Sequence, residues 1–202
     1  MKKVFLFILI LLWAIPASAE EINYYFGVDD YFGYAVSLPS EYPVIYHGVN
    51  DATASLFYDL NAKEAEEWLN IADADIMFLI PDANLVVELR MLRYMFDEFM
   101  PFNTREQVRT YGDYWTEAFS ELGYQVQFST IFTGDNNIMA KTAYSINSEG
   151  ILYNYLEYNS IFGKDAFYAT CSSLQSELSP YYVYKIESIL DTVRVVFSGY
   201  SK

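Results

Sequence analysis

Between residues 125 and 171, four segments rich in aromatic and β-branched residues follow one another: 125–133, 138–146, 151–160 and 166–171. The first three are joined by Gly134-Asp135-Asn136-Asn137 and Asn147-Ser148-Glu149-Gly150, which are runs of turn formers. A parallel return needs a crossover of about a dozen residues or more. The second half of the chain is therefore expected to be an antiparallel meander. Within 138–146 the even positions Ile138, Ala140, Thr142, Tyr144 and Ile146 are mostly apolar, and the odd ones include Lys141 and Ser145. That alternation predicts one apolar and one mixed face, as when helices cover one side of a sheet.

Helical periodicity is strongest over 104–123. Val108, Tyr111, Trp115, Phe119 and Leu122 recur at gaps of three and four and draw one stripe. Thr104 or Asn103 can cap its start, and Gly123 suits the left-handed position past its end. Gly112 lies in its middle, at a cost of roughly 1 kcal/mol relative to alanine. A second helix is predicted from Pro180, with Ser179 as cap and Tyr182, Ile186, Ile189 and Leu190 on one face. A third, shorter one follows Asn61, whose pairing with Glu64 has the form of a capping box. Strands are predicted over 31–38, 76–80, 85–93 and 193–197, with Pro81-Asp82-Ala83-Asn84 as a hairpin turn. No repeat or linker divides the chain.

The amino terminus has the three-part grammar of a secretory leader. Lys2 and Lys3 precede an unbroken apolar run over 4–15, Pro16 ends the run, and Ala17-Ser18-Ala19 offers a small-x-small cleavage site. Twelve residues make a helix of roughly 18 Å, short of the ~30 Å bilayer core. The expectation is a cleaved signal peptide at 1–19, a single domain at 20–202, and no transmembrane segment after cleavage. The cleavage point carries no cysteine for lipidation. Loss of Lys2 and Lys3 removes two positive charges from a net −15 and leaves −17. Such a surface repels phosphate backbones and anionic lipid, which argues against nucleic acid as a partner. It serves solubility, and it also attracts a basic protein partner or divalent cations.

Candidate chemistry is sparse. Cys171, the single cysteine, lies in an apolar run and reads as a buried, inert thiol, with a reactive or intermolecular thiol as the alternative. His47 is the single histidine, so a multi-histidine zinc site is excluded; a Cys171–His47 dyad is the remaining nucleophilic arrangement. No GxSxG, HExxH, P-loop or GxGxxG occurs. Asp73-Ala74-Asp75 and Asp135-Asn136-Asn137 gather oxygen ligands, but neither fits an EF-hand loop. From 27 acidic residues the sequence selects no catalytic pair. No catalytic, cofactor-binding or metal residue is therefore assigned, and no cofactor is expected. Twenty tyrosines are the compositional oddity. Tyr153, Tyr155 and Tyr168 can line a sheet face, with Tyr181 and Tyr184 on the less buried side of the last helix. Structural packing accounts for most of them, and an aromatic platform for sugars or a protein is the functional alternative.

The chain opens on Tyr34-Ala35-Val36-Ser37-Leu38-Pro39, with Tyr42 close behind, and closes on Tyr184-Lys185-Ile186-Glu187-Ser188-Ile189-Leu190-Asp191-Thr192-Val193-Arg194-Val195. Together with a mid-chain amphipathic helix and a meander, this order resembles the PsbP-like family. The resemblance implies an α+β fold: an α/β/α sandwich with a central antiparallel sheet flanked by helices. Family members in photosynthetic organisms are extrinsic accessory proteins of photosystem II, and many bacterial ones are exported proteins of unknown role. The family shares no catalytic constellation, so it carries over no site residue.

The expected function is an exported, soluble, non-enzymatic accessory or binding domain acting through protein contacts, in the cell envelope or outside the cell. Two alternatives remain open. One is an envelope hydrolase using paired carboxylates, which requires two acids with opposed pKa shifts in a cleft. The other is a glycan-binding module with coplanar exposed aromatics.

Overall fold

The structure, a computed structural model, describes residues 20–27, 32–92, 104–162, 165–173 and 178–197. The leader at 1–19, the alternative cap Asn103 and the strand ends at Tyr31 and Arg93 lie outside the described residues. In chain order the elements are β1 (Glu21–Gly27), β2 (Phe32–Pro39), β3 (Val44–Tyr46), α1 (Asp51–Ala54), α2 (Ala62–Ala72), β4 (Ile76–Ile80), a 3-10 turn (Pro81–Ala83), β5 (Leu85–Leu92), α3 (Arg105–Glu121), β6 (Gln125–Thr133), β7 (Ile138–Ser148), β8 (Ile151–Phe162), β9 (Asp165–Ser173), α4 (Pro180–Leu190) and β10 (Arg194–Phe197).

Seven strands form one sheet in the order β3-β4-β5-β9-β8-β7-β6, and every neighbouring pair in it is antiparallel. The expected meander is β6 to β9, and the fold is α+β. The final strand departs from the simple picture. β10 pairs with β2, and β2 with β1, so a separate three-stranded antiparallel sheet forms in the order β1-β2-β10.

Strand alternation gives the large sheet two buried faces. On one, Ile76, Phe78, Val87, Leu89 and Phe167 pack against Tyr34, Val36 and Leu38 of β2 and against Ile186 and Leu190 of α4. On the other, Ile45, Met77 and Leu79 pack against Phe57 and against Ala65 and Leu69 of α2, while α3 lies over β6 and β7. The layers are thus helices, the large sheet, and then the small sheet with α4. This corrects the single apolar face expected for 138–146. Ala140, Thr142 and Tyr144 are buried on the α3 side, and Met139, Ala143 and Ser145 are buried on the other. The small sheet, built from strands distant in sequence, supplies cover that local alternation cannot reveal.

Local signals set the helix ends. Asn61 accepts the Glu64 N–H at 3.0 Å, and Glu64 accepts the Asn61 N–H at 2.9 Å, which completes the capping box. Thr104 accepts the Gln107 N–H at 3.2 Å at the start of α3, and Gly123 follows its end at φ +81°. Ser179 occupies the cap position of α4, but its hydroxyl makes no capping bond, and Pro180 alone marks the start. Leu122, placed on the buried stripe by spacing, is 65% exposed because the helix ends before it. Gly112 is buried: a Cβ there would meet Ser129 Oγ at 3.1 Å and Ala140 Cβ at 3.6 Å. The glycine lets α3 settle closely on β6 and β7, which offsets its propensity cost.

Candidate functional site

The register of β6, β7 and β8 puts Phe128 opposite Ala143, Ala143 opposite Leu156, and Lys141 opposite Tyr158. These side chains share the face that α4 crosses. α4 does not cover all of it. A groove of about 450 Å³ remains, with Phe128, Ala143 and Leu156 below, Leu178 and Val183 to one side, and Lys141 at its edge. Gln127 Nε2 donates to Asn154 Oδ1 at 3.3 Å along the rim. The floor is apolar and the rim is polar, from Gln127, Lys141, Asn154 and Tyr155, and a concave surface that combines apolar contact with placed polar groups is how binding sites are generally built.

The groove is braced by an ion pair. Lys141 Nζ donates to Glu187 Oε1 at 2.7 Å, and Tyr158 Oη donates to the same oxygen at 3.1 Å. The Lys141 ammonium also lies 5.6 Å from the Tyr158 ring centroid. Burial pushes the Tyr158 phenol far above its ordinary range, with Glu187 adding to the shift. Lys141 and Glu187 are 46 residues apart in sequence, so no motif announced them.

The opposite face of the same strands carries a buried polar network. Glu157 Oε2 accepts from Tyr144 Oη at 3.1 Å and Glu157 Oε1 accepts from Asn159 Nδ2 at 2.9 Å. Tyr111 and Tyr168 share a hydroxyl contact at 3.1 Å. Burial raises the Glu157 carboxyl above the usual carboxylate range, although both hydrogen bonds pull the other way. Asn159 Oδ1 is buried without a hydrogen-bond partner among the described residues. Glu88 shares the face, across Thr170 of β9. Its carboxyl is also raised by burial, with Arg90 opposing. These two acids shift in the same direction, whereas the hydrolase alternative calls for opposed shifts.

The residues singled out from sequence fall as follows. Cys171 is buried in the core against the small sheet, and burial pushes its thiol well above the ordinary range. His47 instead contacts Glu66 Oε1 of α2 through Nδ1 at 2.8 Å, and that contact lowers the Glu66 carboxyl. Asp73 ends α2 at φ 52° with its carboxylate 3.7 Å from Arg90. Asp75 turns the other way, accepting the Met91 N–H at 2.8 Å and the Tyr34 hydroxyl at 3.1 Å. Asp135, Asn136 and Asn137 form a turn held by Asp191. Among the described residues, no group of three or more His, Cys, Asp or Glu is placed to hold a metal ion.

Tyr153, Tyr155 and Tyr168 do share one sheet face. Tyr155 stacks on Tyr144 at 5.1 Å and Tyr144 on Tyr124 at 5.6 Å, near-parallel in both cases. Tyr144 and Tyr168 are buried, so this ladder serves packing. Tyr181 and Tyr184 of α4 are exposed. The exposed pair Tyr58 and Trp68 is tilted by 44°, not coplanar.

No protein-family model and no curated protein matches the sequence. Solved structures similar to it include cyanobacterial PsbP (CyanoP) from Synechocystis sp. PCC 6803, at 9% identity and TM-score 0.46, covering 91% of this chain and 96% of that one. LpqN of Mycobacterium tuberculosis, described as involved in cell envelope biogenesis, is similar at 8% identity and TM-score 0.43, covering 89% and 92%. A Bacteroides thetaiotaomicron VPI-5482 protein is similar at 12% identity and TM-score 0.43, covering 82% of this chain and 46% of that one. Among the described residues no helix is long and apolar enough to cross a membrane.

Proposed function

We propose that this chain is an exported, non-enzymatic accessory or binding domain that acts through protein contacts. Residues 1–19 are its removable leader and residues 20–202 its single domain. The observation that carries the reading is the groove beside α4. Its floor of Phe128, Ala143 and Leu156 suits an apolar side chain, and Phe128 is 45% exposed there. The leader supports an extracytoplasmic setting, and the acidic surface draws in a partner whose body is basic.

The test is site-specific photo-crosslinking in intact cells, with the crosslinker at position 128 and, as control, at Glu67 of α2 on the other side of the sheet. The reading expects a discrete protein adduct at position 128 that is absent at the control. Equal labelling at both positions, or none at position 128, would refute it. Turnover of an envelope substrate by the purified protein would refute the non-enzymatic part.

A further inference from the structure

β6 is the edge strand of the large sheet. Its nine residues, QVQFSTIFT, include no charge and no proline, and most of them are exposed. Exposed edges are usually blunted by short length, charge, proline or a bulge, because their unpaired backbone groups invite another strand. The other edge of the sheet fits that rule: β3 is three residues long and follows Pro43. β6 has a register shift between Val126 and Phe128, but from Phe128 to Thr133 its pairing with β7 is regular. Among the described residues no strand pairs with the outer edge of these six consecutive residues.

The two flanks of this edge differ in chemistry. One is the apolar groove. The other lies under α3, where Arg105, Arg109, Gly112 and Asp113 border a second cavity of about 200 Å³ with Ser129, Thr130 and Ile131 of β6, two cations against one acid, with Arg105, Arg109 and Gly112 on one helical stripe. Arg105 and Arg109 are exposed and form no ion pair with any described residue. They sit in the first turns of α3, where the helix dipole disfavours cations and where like charges at i,i+4 repel. Arg109 has acids at helix spacing, Glu106 three residues before it and Asp113 four after, but helix stability does not explain Arg105 at the first position, in a chain with 12 basic and 27 acidic residues.

We propose that the β6 edge accepts an extended segment of a partner protein as an eighth strand, and that this segment alternates apolar residues with carboxylates. Strand addition draws affinity from backbone hydrogen bonds and specificity from pockets for alternate side chains. Apolar residues enter the groove by Phe128, and carboxylates on the other face meet Arg105 and Arg109. A second copy of this chain is a poorer occupant. A β6–β6 pair offers these arginines no carboxylate, because the strand has none, and it joins two strongly acidic bodies. The inference rests on the protein-contact reading above and adds its mode and the chemistry of the docking segment.

The test uses two capped nine-residue peptides, one alternating valine with glutamate and the other valine with lysine, titrated onto the intact protein. Amide hydrogen exchange locates the binding. The glutamate peptide should bind about tenfold or more tightly than the lysine peptide and slow exchange within 125–133. The exposed double substitution R105E/R109E should reverse that order, and R105Q/R109Q should level it. Equal binding of both peptides by the unaltered protein, protection elsewhere, or no binding by either overturns strand addition. A dimer protected at β6 overturns it in favour of self-pairing. Cross-links at position 128 in cells would survive any of these results, so the two readings fail separately.

Discussion

Asp191 and Asn137 bind each other's segments in both directions. The Asp191 carboxylate accepts the Asn137 N–H at 3.0 Å, along with those of Asn136 at 2.9 Å and Asp135 at 3.0 Å. In return, Asn137 Nδ2 lies among the carbonyls of Leu190, Asp191 and Val193 at 3.1, 3.1 and 2.8 Å. The β6–β7 turn and the end of α4 are locked together more than 50 residues apart. Successive backbone N–H groups aimed at one carboxylate form an anion nest. The turn that Gly134 to Asn137 predict has its N–H groups taken up by a neighbouring acid.

Replacing Asp191 with alanine should therefore cost about 2 kcal/mol or more, since hydrogen bonds to a charged group are worth roughly 1.5–3 kcal/mol each and do not add. Urea unfolding should show a lower midpoint with an unchanged slope. Gly134→Ala should produce a comparable loss by another route, because a Cβ at 134 runs into the Asp191 carboxylate. A fully stable Gly134→Ala protein would show that the turn is not held as described.

Glu157 predicts a pH dependence of fixed sign. Burial raises its folded-state pKa above the unfolded value near 4.5. Between the two values the folded state holds a proton that the unfolded state has released, so stability falls as pH rises through that window. Glu88 and Asp75, also raised by burial, act in the same direction. Glu157→Gln removes the cost of burying an anion, and the orphaned Asn159 Oδ1 gives the new amide an acceptor. The variant should be more stable than the parent at pH 8, nearly equal to it at pH 4, and flatter between the two. Unfolding curves at a series of pH values read this directly. A variant equally destabilised at every pH would remove the carboxyl's ionisation from the account.

Sequence legibility stopped where partners became distant. The strands Ile76–Ile80 and Gln125–Thr133 can be read to the residue because Pro81 and Gly134 punctuate them, and Asn61 with Glu64 announces α2. β1 was not anticipated, although Ile22, Tyr24 and Phe26 alternate with other residues, because its pairing is with β2 and not with the meander. β3 was too short to pattern. The groove was illegible because its shape depends on where α4 crosses the sheet and on an ion pair bridging 46 residues. Glu157 left a fainter trace, as a lone acid between Leu156 and Tyr158 in a strand otherwise suited to burial. That oddity becomes informative only once both faces of the strand are known to be covered.

Gly112 separates two effects that the sequence merges. An added methyl would meet Ser129 Oγ at 3.1 Å, the end of a short side chain held only by a long 3.4 Å contact to the Thr142 hydroxyl, and Ala140 Cβ at ordinary contact. Gly112→Ala should therefore keep much of the roughly 1 kcal/mol helix-propensity gain and leave stability equal or slightly higher. Gly112→Leu should lose about 1–3 kcal/mol, because a branched side chain must lift α3 from the sheet. Thermal unfolding of the pair checks the order. If Gly112→Ala lost as much as Gly112→Leu, helix and sheet would approach too closely for even one methyl, and the contacts at 112 would be tighter than described.

Lys141 and Glu187 raise the question of whether the groove's brace adds stability or only holds shape. Their side chains are 14% and 22% exposed, so most of each charge is withdrawn from water. Breaking such a pair on one side costs more than removing it whole, because the survivor is left without its partner. Lys141→Met should cost about 1–3 kcal/mol, below the range for a fully buried pair because some exposure remains. Glu187→Gln should cost less, since the amide oxygen can still accept from Tyr158. The double variant should be more stable than the sum of the single losses implies, and a double-mutant cycle in denaturant gives that coupling directly. Additive losses would mean that the two charges are independently solvated and that the groove keeps its walls without them.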